Sequence, residues 1–305
     1  YSTASRPDHE SGPDIDRETF LRKIHSWRKP RHIVALTSWL RRECEASELT
    51  SGWPTHVIPV PIDTEKWSPR DKETARSQFG ISKEAVVILF GAGSGTTQSH
   101  KGSDLLFDSL PLLSTLREDM GLTAPLTLGI FGEEGTPRNQ DGIEIQFLGR
   151  LDDEQLATAY SASDVFVAPS RLEAFGQVAA EAQACGTPVV AFDNSGLADV
   201  VEDGVTGKLA RAFDIQSLAE AIAWVAFDRE RNEKLGDQAR QRAERIWHPK
   251  IVAKQYVEVL QKLMPREASE SSCFPTKSLG WHRGPTEKDV STDSSQVDVP
   301  TRTVR

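Results

Sequence analysis

Apolar residues along this chain fall into two patterns. Short runs rich in β-branched residues predict strands: 32–36 (HIVAL), 55–60 (THVIPV), 85–91 (AVVILFG), 126–132 (LTLGIFG), 143–149 (IEIQFLG), 164–170 (DVFVAPS) and 188–193 (PVVAFD). Most are continuously apolar rather than alternating. Strands covered on both faces, as in a parallel sheet, read this way. Between them, spaced apolar positions predict helices over 70–79, 103–117, 153–161, 175–185, 197–203 and 215–228. Regular strand–helix alternation predicts an α/β fold built on a doubly wound parallel sheet. Two more helices are predicted over 231–246 and 250–263, with no strand after them.

Composition adds boundaries. The chain has 305 residues, 38% hydrophobic and 27% charged, as in a soluble globular protein. No apolar run approaches the roughly 20 residues that span a bilayer. No secretory signal pattern opens the chain, which begins at Tyr1 in a polar stretch. A piece of a longer protein is therefore expected, with 1–30 as a linker or the remnant of an upstream domain. Residues 265–305 are rich in Ser, Thr and Pro without periodicity, and are expected to be a disordered tail. Cys44, Cys185 and Cys273 have no metal spacing and read as reduced thiols. A net charge of -9 weighs against a nucleic-acid partner. Within 17–42, however, eight Lys and Arg face one acid, Glu18. That run reads as a solvated helix or linker, or as a face for a membrane surface or an anionic ligand.

Chemistry concentrates between Ser170 and Gly196. Sheets of this type bind ligands beyond the carboxyl ends of their strands. The 164–170 run ends there, and the next helix is expected to start near Phe175 or Gly176. Its free N–H groups and positive end suit a diphosphate. Gly176 lets a ligand approach the backbone closely. Glu173 precedes the helix and Glu181 lies within it. An ionised carboxylate accepts two hydrogen bonds from a vicinal diol, as on a ribose or a sugar ring. The competing reading is a helix-favouring Glu173 and a surface Glu181.

The order E-A-F-G-Q-V-A-A-E, then ACGTPVVAFDNSG, resembles the donor-site signature of the retaining glycosyltransferases of the GT-B fold, the group 1 family. Further pieces keep register across 31–263: VALTSWLRRECEAS, VIPVPIDTEKWSP, HKGSDLL, FLGRLDDEQLATAYSASDVFVAPS and GLADVVEDGVTGKLA. The set most resembles the bacterial colanic-acid and capsule type. The resemblance implies a Rossmann-like nucleotide-sugar-binding domain over 31–264, the C-terminal half of a GT-B fold, with an acceptor domain upstream. It implies transfer of a hexose from a UDP-, GDP- or ADP-sugar to a glycan or lipid-linked acceptor, with retention. The setting would be polysaccharide or glycoconjugate synthesis in the cytoplasm or at the inner face of the membrane. No cofactor or metal is implied, and no Asp-x-Asp motif is present.

Residue by residue, the resemblance places Lys101 on the donor diphosphate and Glu173 on the transferred sugar. Glu181 would take the ribose hydroxyls. The N–H groups of Phe175 and Gly176 would meet sugar and phosphate, and the backbone around Arg150 and Leu151 the base. Where the family carries an Arg after the strand ending at Gly91, this chain has Gly91-Ala92-Gly93. His100 is a candidate substitute cation, or an exposed loop histidine. Pro61 and Asp199 are milder departures. LDDEQL fits a helix start better than a metal site. Two other readings stay open. One is a non-catalytic module of the same fold. The other is a dinucleotide site at LFGAGSGTT, which has Thr96 where G-x-G-x-x-G requires Gly.

Overall fold

A computed structural model describes residues 12–91 and 99–264. The chain divides into two units, Tyr1–Lys262 and Leu263–Arg305. All of the second but Leu263 and Met264 lies outside the described residues, and with it the expected tail. So do the segment 92–98 and Cys273.

The apolar runs form the expected sheet. Strands β3 (Val86–Gly91), β4 (Leu126–Phe131), β6 (Ile143–Gly149), β7 (Val165–Ala168), β8 (Val189–Phe192) and β9 (Gly207–Ala210) are mutually parallel, and β5 (Arg138–Gln140) adds an antiparallel edge. The order is β5-β6-β4-β3-β7-β8-β9. Continuous apolar runs are needed because both faces are covered. Ile88 and Phe90 of β3 pack with Leu106 and Leu110 of α4 (Ser103–Asp119) and Ile222 of α8 (Ile215–Ala226). Leu89, between them in sequence, packs on the opposite face, with Tyr160 of α5 (Asp153–Ala162) and Ala180 of α6 (Gln177–Ala184). Alternate residues of one strand thus serve two cores.

Strand order sets the ligand crevice. From β3 the chain winds outward to β4 and β6, then returns past β3 to β7 and winds the other way. The direction reverses between β3 and β7, and a crevice opens beyond the carboxyl ends at such a point. The segments leaving those two strands begin after Gly91 and Ala168.

The first two predicted strands depart from expectation. β1 (Ile33–Ala35) and β2 (Thr55–Val57) pair only with each other, in parallel, with α2 (Ser38–Ala46) between them. They extend no edge of the seven-stranded sheet. After β2 the chain does not turn straight into a helix. Instead 58–70 leads to α3 (Lys72–Gln78), fastened by the Ile62 N–H to the Trp247 carbonyl at 2.8 Å. Within 1–30, α1 (Ile15–Ser26) is a helix with no buried residue; Arg17 and Arg22 are exposed and Lys23 lies over the Trp27 ring.

Polar residues start the helices. Asp152 caps α5 in a capping box with Gln155, so the paired acids of LDDEQL begin a helix. Asp214 and Asp228 cap α8 and α9 (Arg229–Ile246) without a capping box, each accepting one backbone N–H. The last described helix, α10 (Pro249–Leu263), buries Val252. Trp247, just before it, is 2% exposed and stands edge-on to Phe175 at 6.0 Å. It is a core residue. Cys185 is buried, and burial pushes its thiol up to about 12. Cys44 is also free. Among the described residues, no helix is long and apolar enough to cross a membrane.

Candidate functional site

Lys101 and Glu173 meet at the reversal point. Lys101 closes a 3-10 turn, Ser99–Lys101, that leads into α4 through Gly102. Gly102 has φ +71, and a Cβ there would stand 1.9 Å from the Pro169 carbonyl oxygen. Only glycine lets the turn sit that close to the end of β7. Glu173 lies in the loop after β7, and its Oε1 forms an ion pair with Lys101 Nζ. Both side chains are about one-fifth exposed, at 21% and 18%. Gly91, Ser170, Gly176 and Leu197 line the same small cavity. Sequence separated this lysine and this carboxylate by role; the fold makes each the other's partner.

The surrounding loop is held from several sides. Arg171 makes a bidentate pair with Asp104 of α4, at 2.8 and 2.6 Å. Arg171 also donates to the Ser99 carbonyl, and its N–H bonds the His100 carbonyl. The His100 side chain is exposed. The Glu173 N–H donates to Ser195 Oγ at 3.2 Å, and the Gly196 N–H to the Glu173 carbonyl at 2.8 Å. Ser195 holds φ +53, a region that costs a non-glycine residue strain. A Cβ at Gly196 would lie 2.3 Å from the Ala174 oxygen.

Gly176 caps α6 with φ +89, and Gln177 begins the helix. Gly176 and Val178, at the start of α6, line the same cavity as Lys101 and Glu173. The Phe175 side chain turns into the core against Trp247, so its backbone is what remains for a ligand.

Glu181 is no surface residue. It is 5% exposed, and Gln177 Nε2 donates to its Oε1 at 2.8 Å. Burial raises its carboxyl to about 7, with Asp153 adding to the rise; the Gln177 bond, Lys66 and Tyr160 oppose it. The Tyr160 hydroxyl is buried without a partner in hydrogen-bonding geometry, and burial next to Glu181 pushes its pKa well up. Lys66, in the segment before α3, pairs with Asp153 and lies over the Trp67 ring. Glu181, Lys66 and Asp153 make a second charged group, apart from the Lys101–Glu173 cavity. Leu151, half-buried against the core, and exposed Arg150 immediately precede α5, which carries Asp153. Among the described residues no cluster of three or more His, Cys, Asp or Glu could hold a metal ion. The glycine-rich segment bearing Ala92, Gly93 and Thr96 lies outside the described residues.

Ser195, Arg171, Lys66 and Tyr160 were not singled out by sequence, and Asp153 was read only as part of a helix start. Ser195 and Arg171 sit between Ser170 and Gly196, but their bonds reach back to 99–104 or join loop to loop. Local spacing carries no sign of that.

With this geometry in place, comparison with known proteins identifies relatives. The model of the family described as glycosyl transferases group 1 matches residues 71–242. A D-inositol 3-phosphate glycosyltransferase of Geodermatophilus obscurus is 38% identical over 189 residues, covering 58% of this chain and 41% of that protein. Other curated relatives share that name, which differs from the colanic-acid and capsule type expected from the motifs. The chain spans about half the length of the curated relatives it matches. Among solved structures, a sucrose-phosphate synthase from Thermosynechococcus elongatus aligns with a TM-score of 0.66 at 23% identity, over 86% of this chain and 63% of that one. Anabaena Alr3699/HepE in complex with UDP-glucose aligns at 0.63 and 23%, over 84% and 70%. At such identities the likeness is one of fold.

Proposed function

The chain belongs to the glycosyl transferases group 1 family, and from that premise we propose that it is the donor-binding part of a glycosyltransferase. The observation that carries this reading is the meeting of Lys101, Glu173 and the first turn of α6 at the reversal point of the sheet. A nucleoside diphosphate sugar laid there puts its diphosphate against the α6 N–H groups and draws the Lys101 ammonium to it. Glu173, released from its partner, takes hydroxyls of the sugar. Glu181 takes the ribose diol, and the backbone at 149–151 meets the base.

Chemistry follows from charge. The difficult event is departure of the diphosphate from an oxocarbenium-like carbon. Negative charge grows on the leaving oxygens, and Lys101 with the α6 N-terminus stabilises it where it develops. Glu173, no longer neutralised, favours the positive carbon. Transfer with retention of configuration is part of the proposal. The relatives' name supports a phosphorylated cyclitol hydroxyl as acceptor, in preference to a growing polysaccharide.

A thermal-shift panel of UDP-, GDP- and ADP-sugars identifies the base. Calorimetry then tests the roles. Glu181→Ala is expected to weaken nucleoside diphosphate binding by about 1–3 kcal/mol, the worth of a lost charged acceptor. Lys101→Ala is expected to weaken the diphosphate far more than the free nucleoside. Unchanged affinity in the first, or equal losses in the second, removes that residue from the site.

A further inference from the structure

The loop that carries Glu173 is tied to α2, although α2 belongs to the separate two-stranded sheet. The Thr37 hydroxyl donates to the Ala174 carbonyl at 3.0 Å, the residue after Glu173. The same hydroxyl accepts the Leu40 N–H at 3.1 Å, capping α2. Two residues after Thr37, the Trp39 N–H donates to Asp199 Oδ2 at 2.8 Å. Asp199 lies in α7 (Leu197–Val200). Directly ahead of α7, Ser195 and Gly196 bond the Glu173 backbone from the other side. The four bonds close a ring: α2 to Ala174, Glu173 to 195–196, α7 back to α2. Thr37 is 2% exposed, and Arg242 fixes α7 through the Asp199 and Val200 carbonyls.

We infer that Thr37 and Asp199 are positioning residues for the donor loop, and that through them the β1-α2-β2 segment sets where Glu173 stands. The inference rests on the donor-site reading above for its functional meaning; the ring itself does not depend on it. A carboxylate in a loop between two elements has no rigid support of its own. A threonine serving at once as helix cap and loop anchor supplies one. The Asp199 carboxylate at the positive end of α2 adds a charge-assisted bond. A displacement of α2 is then felt at the sugar end of the site and little at Glu181, which is seated within α6.

The test uses the whole chain and two independent readouts. Amide hydrogen exchange, without ligand, compares peptides over 171–176 with those over 126–131 in β4. Thr37→Val and Asp199→Ala are expected to speed exchange in the loop about tenfold and leave β4 unchanged, while Thr37→Ser and Asp199→Asn stay near wild type. In calorimetry, Thr37→Val and Asp199→Ala are expected to weaken UDP-glucose about tenfold and UDP less than about twofold. Acceleration spread evenly over loop and β4 marks a merely structural role and overturns the inference. So does unchanged exchange at 171–176, or equal loss of UDP and UDP-glucose. If the wild-type chain binds none of the UDP-, GDP- and ADP-sugars, the donor-site reading fails, and the exchange comparison still decides whether the ring holds the loop.

Discussion

Glu181 is a carboxylate kept out of water at the one place where the proposed ligand needs it charged. Its carboxyl is raised from 4.5 to about 7 by burial. A proton is therefore held more tightly in the folded chain than in the unfolded one. The stability this group contributes is fully present below about pH 4.5 and is lost as pH rises to about 7. Glu181→Gln, neutral throughout, is expected to exceed wild-type stability at about pH 8 by on the order of 2–3 kcal/mol, and to match it at about pH 4.5. Urea denaturation at both pH values measures this; a difference independent of pH means the carboxyl is not held up. Ligand binding runs the other way. UDP-glucose, whose diphosphate does not titrate near 7, is expected to bind wild type more tightly as pH rises through that range. Glu181→Gln is expected to flatten the profile. The spacing of Glu173, Gly176 and Glu181 around a helix start was legible in sequence because helix geometry is local. The Lys101–Glu173 pair, the Thr37 anchor and the buried Tyr160 hydroxyl beside Glu181 were not, because each depends on contacts across 72 residues or more, or on burial by a distant element.

Elements were legible in proportion to their burial. β3 and β4 announce themselves because both faces need apolar side chains. β9 was missed: its four residues, GKLA, are half-buried at their centre and lie at the sheet's edge. β5 was missed because its polar RNQ has only one neighbour, β6. α1 buries nothing, so it leaves no stripe to read. The runs at 32–36 and 55–60 were recognisable as strands, but nothing in an apolar run says which sheet it joins. Close approach between elements is equally silent except where glycine is demanded. Gly102 is such a place, since it lets the Lys101 turn rest on the end of β7. Gly102→Ala combines a left-handed backbone with a Cβ pressed into the Pro169 carbonyl. It is expected to cost roughly 2–4 kcal/mol, the sum of conformational strain and overpacking. Chemical denaturation gives the value, and a cost under about 0.5 kcal/mol means the turn can move away without penalty.

At the scale of the whole sheet, the two ends of the parallel strands do different work. The carboxyl end, where β3 and β7 part, is ringed by loops and carries an ion pair that the proposed ligand must open. The amino end is locked. There Asp164, just before β7, accepts Lys72 at 2.6 Å and Arg76 at 2.8 Å, both from α3, and the Val87 N–H of β3 at 2.6 Å. Arg76 is 6% exposed and donates also to the Ala162 and Lys83 carbonyls. Asn232 of α9 bonds the carbonyls of Asp164 and Val225. One carboxylate thus gathers two strands and a helix, and its own carbonyl takes in α9. Asp164→Ala strands a buried guanidinium and is expected to lower the unfolding free energy by about 3–5 kcal/mol. The site lies at the far ends of the strands, so nucleotide affinity of the folded fraction is expected to hold within about twofold. Lys101→Ala is the converse, a large loss of diphosphate affinity with a small change in stability. Urea denaturation and calorimetry on the two variants form a crossed pair. If Asp164→Ala weakens nucleotide binding as much as it weakens folding, the ends of the sheet are coupled, and the division between a locked amino end and an adaptable carboxyl end does not hold.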